Sequence, residues 1–185
     1  MTGGVVSVYI EEVENSNPMT PEQKFQQLFE EMYRLCDEQG WGDPFSYARS
    51  REIHLAALLG HTVSENYSGA DAIDENGEAE YKTTIREQIN GTYNGISVQP
   101  TWEEQEEYLI SKKIGKYDNH YIARYDGGKV AEVWKVSGDD MLGILLPKLK
   151  KDWNRKINST NHKDPRLSAT ITKKEIYATG TCILG

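Results

Sequence analysis

The chain has 185 residues, 37% hydrophobic and 27% charged, with a net charge of −8. That length favours one domain with a core that needs neither disulfides nor metal, and the longest apolar runs, Leu55–Leu59 and Ile144–Leu146, are too short to cross a bilayer. The first fifteen residues lack a basic start and meet acid at Glu11, so no secretory leader is expected, and the isolated cysteines Cys36 and Cys182 fit a reducing cytoplasm.

The first predicted element is a helix over 21–39. Thr20 is its N-cap, Pro21 suits the first turn and Gln23 completes a capping box. Phe25, Leu28, Phe29, Met32, Leu35 and Cys36 recur at the helical period and are assigned to the core, and Gly40 ends the helix. Residues 41–47 are a loop. A second helix over 48–59 offers Ile53, Ala56, Ala57 and Leu59 for packing and stops at Gly60. Strands follow at 61–65, 70–74 and 78–84, the last two joined by Asn76-Gly77, a strong hairpin signal. Residues 86–94 (REQINGTYN) are polar and read either as a plain loop or as a segment that could touch a nucleic-acid backbone or bases.

A helix over 101–115 is capped by Thr101, with Glu104 in the box position. Strands at 120–125 and 129–136 flank Asp126-Gly127-Gly128. Ser137 caps a helix through about 152, which Pro147 is expected to kink. A loop fills 153–166, and strands near 167–173 and 175–180 finish the chain. This order predicts one mixed α/β or α+β domain over residues 1–185.

Charge is unevenly spread. Residues 1–100 hold 6 Lys and Arg against 17 Asp and Glu, and residues 101–185 hold 15 against 12. The stretch 146–174 has nine bases against Asp152 and Asp164. A basic segment on an acidic chain is a candidate phosphate-binding face, the plainer alternative being a solvated helix end and loop. Within it, Arg155, Lys156, Asn158, Asn161, His162, Lys163 and Arg166 carry groups suited to phosphates and base edges.

The hairpin holds the densest chemistry. A two-residue turn at Asn76-Gly77 pairs Glu75 with Glu78, Ile73 with Glu80 and Asp71 with Lys82. Alternation then puts Asp71, Glu80 and Lys82 on one face, and Asp74 on the other with Ala79 and Tyr81. A slip of one residue would exchange Asp71 for Asp74. Paired carboxylates suit Mg²⁺, which takes a few oxygens and keeps waters. A lysine beside them can orient or deprotonate a water, or steady charge on a phosphate. Ordinary cross-strand ion pairs are the bland alternative. Glu78 reads as solvated, His61 and His120 as structural, and His54 as surface or packing.

Ala70-Asp71 with Glu80-Tyr81-Lys82 resembles the signature of the PD-(D/E)xK nuclease superfamily, with Ala70 in place of the motif proline. The order of helix 48–59, strands 61–84, helix 101–115 and strand 120–125 is similar to that superfamily's αβββαβ core. The resemblance covers about 48–136 and is nearest in size and layout to a type II restriction endonuclease. It implies a central mixed sheet flanked by helices, Mg²⁺ on Asp71 and Glu80 (with Mn²⁺ able to substitute), and Lys82 acting on the water nucleophile. Glu52, on the helix before the strands, matches a further metal-binding position of many relatives. A helix-start charge is its plainer role.

The expectation is therefore a Mg²⁺-dependent restriction endonuclease that cuts double-stranded DNA at a specific sequence and leaves 5′-phosphates. Its catalytic core is placed at about 48–136 and its DNA-reading part at about 146–180. A homodimer and a separate companion DNA methyltransferase are the expected partners, in the cytoplasm and without a membrane. The alternatives are a structure-selective or repair nuclease of the same fold, and a non-catalytic acidic protein that mimics DNA or binds a partner.

Overall fold

A computed structural model describes residues 18–65, 69–158 and 166–185. Five α-helices and eight strands form a mixed α/β structure among the described residues. The elements are α1 (Pro21–Glu38), α2 (Arg49–Leu59), β1 (Thr62–Val63), β2 (Ala72–Ile73), β3 (Glu78–Thr84), β4 (Gly91–Ile96), α3 (Trp102–Tyr108), β5 (Asn119–Asp126), β6 (Lys129–Ser137), α4 (Gly138–Ile157), β7 (Leu167–Ile171), α5 (Lys173–Thr179) and β8 (Thr181–Leu184). A π-helical turn, Leu109–Lys113, extends α3.

The central sheet has the order β1-β2-β3-β5-β6-β8. Only β3 and β5 pair in parallel, so the sheet is mixed, as expected. β5 is buried on both faces and its residues alternate between two cores. Tyr121, Ala123 and Tyr125 pack with Leu55 and Ala56 of α2. Ile122 packs on the other side with Met141, Leu145 and Leu149 of α4. Sheet parity sends Ala79 and Tyr81 of β3 toward α2, and Glu80 and Lys82 to the opposite face.

The capping boxes at Thr20/Gln23 and Thr101/Glu104 form as read. Gly127 and Gly128 carry the β5–β6 turn with positive φ. Four expectations change. First, β4 occupies part of the supposed loop 86–94 and pairs antiparallel with β7 as a separate two-stranded sheet. Its two glycines and one asparagine disfavour strands locally, but Tyr93 and Ile96 are buried by partners some 75 residues away along the chain. Second, α4 runs on to Ile157, so Arg155 and Lys156 belong to a helix. Third, the strand expected at 175–180 is the helix α5, started by a third capping box, Thr172/Glu175, which outweighs the β-branched composition.

Fourth, the apolar stripe of α1 is not core. Phe25, Leu28, Phe29, Met32 and Leu35 are 71, 49, 45, 43 and 49% exposed, and only Cys36 is buried. Periodicity reveals an apolar face but not what covers it. No helix among the described residues is long and apolar enough to cross a membrane.

Candidate active site

Asp74 shapes the β2–β3 hairpin. Its Oδ1 accepts from the backbone N–H groups of Asn76 (2.8 Å) and Gly77 (3.0 Å), and its Oδ2 accepts from Asn119 Nδ2 (2.7 Å) and the Tyr121 hydroxyl (2.8 Å). These bonds hold its carboxyl below the usual range even though burial opposes ionisation. The observed register is Ile73↔Glu78 and Ala72↔Ala79, so the loop spans Asp74–Gly77 rather than two residues. Relative to the expected pairing the strands shift by two, which changes partners but keeps faces. Asp71 comes level with Glu80 instead of Lys82, and its N–H donates to the Ala79 carbonyl at 3.0 Å.

Asp71, Glu80 and Lys82 line one cleft of about 250 Å³ with Gly69, Thr92, Tyr93, Asn94, Ile96, Lys113 and Tyr117. The Lys82 ammonium donates to the Glu80 carboxylate and to the Tyr81 carbonyl (3.1 Å), and lies 5.0 Å from the centre of the Tyr93 ring. Asp71 Oδ2 accepts the Tyr81 N–H at 2.7 Å.

The wall behind Lys82 is fixed by polar pairs. The Tyr93 hydroxyl bonds His120 Nδ1 at 2.8 Å, and His120 Nε2 lies 3.1 Å from the Ile114 carbonyl. A carbonyl only accepts, so Nε2 carries the proton and Nδ1 accepts from Tyr93. Burial lowers the His120 pKa to about 3, so it stays neutral and structural. The Tyr117 hydroxyl donates to the Gly69 carbonyl at 2.9 Å and closes the other side.

The carboxylates compete for charge. Burial, reinforced by Glu80 and Glu52, raises the Asp71 pKa to about 7 against the pull of Lys82 and the Tyr81 N–H. Burial works against the Lys82 charge, but Glu80 and Asp71 outweigh it and raise its pKa, so it remains an ammonium. Glu52 is also raised, by burial first and by Glu80, while Arg49 and Lys82 favour its charge. Glu52 therefore joins the same electrostatic group, and it pairs with Arg49 at 3.5 Å. Arg49 is a buried arginine that the sequence did not single out. Its Nε donates to the Trp41 carbonyl at 2.8 Å and its guanidinium also reaches the Ser64 carbonyl.

Among the described residues, no three His, Cys, Asp or Glu side chains converge as a ready cation cage. The donor set at hand is Asp71 and Glu80, neighbouring carboxylates whose mutual repulsion a hard divalent cation would relieve. That chemistry fits Mg²⁺ or Mn²⁺, with Glu52 as a further oxygen donor if it leaves Arg49.

Other residues singled out in the sequence do not line the cleft, and His54 and His61 serve in packing as expected. Glu78 pairs with Lys116 at 3.1 Å. His54 Nδ1 bonds the Tyr125 hydroxyl at 3.0 Å, and His61 Nδ1 bonds the Tyr81 hydroxyl at 2.7 Å. In the expected DNA-reading segment, Arg155 pairs with Asp152, Lys156 lies 3.7 Å from the same carboxylate and donates to the Arg166 carbonyl, and Asn158 donates to the Asn154 carbonyl at 2.8 Å. Asn161, His162 and Lys163 lie outside the described residues.

Arg166 enters β7, and Leu167 pairs with Ile96 at the end of β4. The ribbon therefore joins the basic segment to the cleft. Thr92, Asn94 and Ser168 are exposed on its outer side, and the Thr92 and Thr170 hydroxyls lie 3.0 Å apart. Tyr93 and Ile96 were the available signal for β4, but the irregularity between them breaks the two-residue alternation and the glycines hide it further. No protein-family model matches the chain, and no curated protein matches it significantly.

Proposed function

We propose that the chain is a Mg²⁺-dependent endonuclease of the PD-(D/E)xK type that cuts double-stranded DNA at a specific sequence as a restriction enzyme. The observation that carries this reading is Asp71 level with Glu80, with Lys82 two residues on, all in one cleft. The run of α2, the three central-sheet strands β1–β3, then β4 of the two-stranded sheet, α3 and the parallel strand β5 supports it.

Asp71 and Glu80 would hold the cation, which when bound neutralises charge developing on the scissile phosphate. Lys82 is protonated, so its role is to donate hydrogen bonds to the attacking water and to a phosphate oxygen. Tyr93 and the Tyr81 carbonyl hold that ammonium in place. The water oxygen would form a bond to phosphorus and release its proton to solvent, the bond to the 3′ oxygen would break, and that leaving oxygen would take a proton from solvent. The products are a 5′-phosphate and a 3′-hydroxyl.

The β4–β7 ribbon would face the DNA beside the reacting phosphate. A two-stranded ribbon fits a major groove, and Thr92, Asn94, Ser168 and Thr170 offer donors and acceptors to base edges. Arg166 would contribute at its start, and the exposed lysines of α4 would meet phosphates. Two copies would cut the two strands of a two-fold target.

The test is digestion of plasmid and phage DNA with Mg²⁺, beside EDTA and Lys82→Ala. Discrete bands lost in both controls are the expected result. A smear lost in both controls would keep the chemistry and remove the site specificity. No cleavage of varied DNA substrates would overturn the proposal.

A further inference from the structure

The apolar face of α1 is anomalous. Five large apolar side chains stand 43–71% exposed on an 18-residue helix that buries only Cys36. Phe29 stacks on Phe45 with ring centres 3.9 Å apart and planes at 3°, and Phe45, itself 42% exposed, widens the patch. At those exposures, side chains of this size leave on the order of 600 Å² of apolar surface in water, at the top of what a monomer usually shows in one patch and of the size that often marks an interaction surface.

The spacing names an occupant. Phe25, Leu28, Met32 and Leu35 are separated by three, four and three residues, the a/d seam of a coiled coil. Such a seam fits another helix with the same repeat. The polar side chains elsewhere on α1 are tied to one another along the helix: Gln26 to Glu30 (2.9 Å), Gln27 to Glu31 (2.7 Å) and Arg34 to Glu38 (2.9 Å).

We propose that α1 is the two-fold interface between two copies of this chain, packed as an antiparallel helix pair. This does not rest on the chemistry at Lys82. In that packing Phe25 meets the partner's Leu35, and Leu28 meets the partner's Met32. The seam-flanking positions bring Lys24 to the partner's Glu38, twice by symmetry, and the helix dipoles oppose. Glu31 meets its own mate at the axis, the one like-charge contact. A parallel pair instead sets Lys24, Glu31 and Glu38 beside apolar positions such as Phe29 and Cys36 and gains no ion pair. The antiparallel pair covers roughly 1,200 Å², the lower edge of a stable interface.

The experiment is sedimentation velocity on the full chain across micromolar concentrations, without DNA or metal. The expected species is a dimer of twice 21.0 kDa. Leu28→Asp should give a monomer with an unchanged far-ultraviolet spectrum, because the side chain lies outside the core. Lys24→Glu should weaken the dimer about three- to tenfold, Lys24→Glu with Glu38→Lys should restore it, and Glu31→Gln should tighten it. A monomer at every concentration overturns the proposal, including the case in which residues 1–17 cover the face. A dimer that survives Leu28→Asp overturns it too. Insensitivity to both Lys24→Glu and Glu31→Gln overturns the antiparallel register.

Discussion

Asp71 and Asp74 stand three residues apart on one strand and turn, and they do opposite work. Asp74 faces Asn119 and Tyr121 with its carboxylate saturated by four hydrogen bonds. Asp71 faces Glu80 with one backbone N–H on it and a pKa raised to about 7. One carboxylate holds the fold and the other strains it.

The pH dependence follows from that contrast. The folded pKa of Asp71 lies above its ordinary value of 3.8. Between those values the folded state binds more protons, so metal-free stability falls as pH rises from about 4 to 7 and levels off above. Asp71→Asn should remove that fall and stabilise the metal-free protein by on the order of 2 kcal/mol at pH 8. Because a cation must displace the same proton, stabilisation by Mg²⁺ should be larger at pH 8 than at pH 5.5. Thermal melts at the two pH values, with and without Mg²⁺, check both points. A larger Mg²⁺ shift at the lower pH would contradict this account.

Asp74→Ala and Asp71→Ala should separate stability from activity. The first takes the side-chain acceptor from two turn N–H groups and from the Tyr121 hydroxyl, leaves the Asn119 amide only its bond to Asn76 Oδ1, and should cost about 2–4 kcal/mol. Below its melting point it should retain measurable cleavage. Asp71→Ala should melt at or above the wild-type temperature while cleavage falls at least a hundredfold. Paired melting and cleavage assays read the two patterns, and equal losses in both variants would erase the distinction.

Gly91 sits where the ribbon crosses Lys82. A Cβ there would lie 3.1 Å from Lys82 Cβ and 3.2 Å from Ile171 Cγ2. Gly91→Val must push the ribbon from β3 or turn Lys82 from Glu80. The expected result is a destabilisation of about 1–3 kcal/mol and at least a tenfold loss of cleavage. Wild-type kinetics in a folded Gly91→Val protein would show that the close approach is dispensable.

Asn94 and Thr92 point out of the ribbon at the cleft. Asn94→Ala should leave the melting temperature within a degree or two, because the side chain is exposed. A lost base contact is worth about 1–3 kcal/mol, so cleavage of the preferred site should drop about tenfold or more while related sites lose less. Comparison across a library of sites is the readout. A uniform drop at every sequence would assign Asn94 to phosphate contact instead.

Much was legible in the sequence because it is local. Caps need a few neighbouring residues, so Thr20, Thr101 and Ser137 mark their helices correctly. Two-residue alternation put Asp71, Glu80 and Lys82 on one face, and it survived an incorrect turn because a shift of two restores parity. Tertiary partners decided the rest. The β4 strand is poor by composition and exists because β7 and the core bury Tyr93 and Ile96. The packing of α4 carries the helix to Ile157, and only with that extension do the i,i+3 and i,i+4 spacings pair Arg155 and Lys156 with Asp152. Burial, a property of the whole packed chain, sets the Asp71 proton and recruits Arg49. The stripe on α1 marks the limit most plainly. A 3.6-residue period specifies that a face must be covered, but only three-dimensional packing decides whether this chain's own core covers it, and here that core takes Cys36 alone.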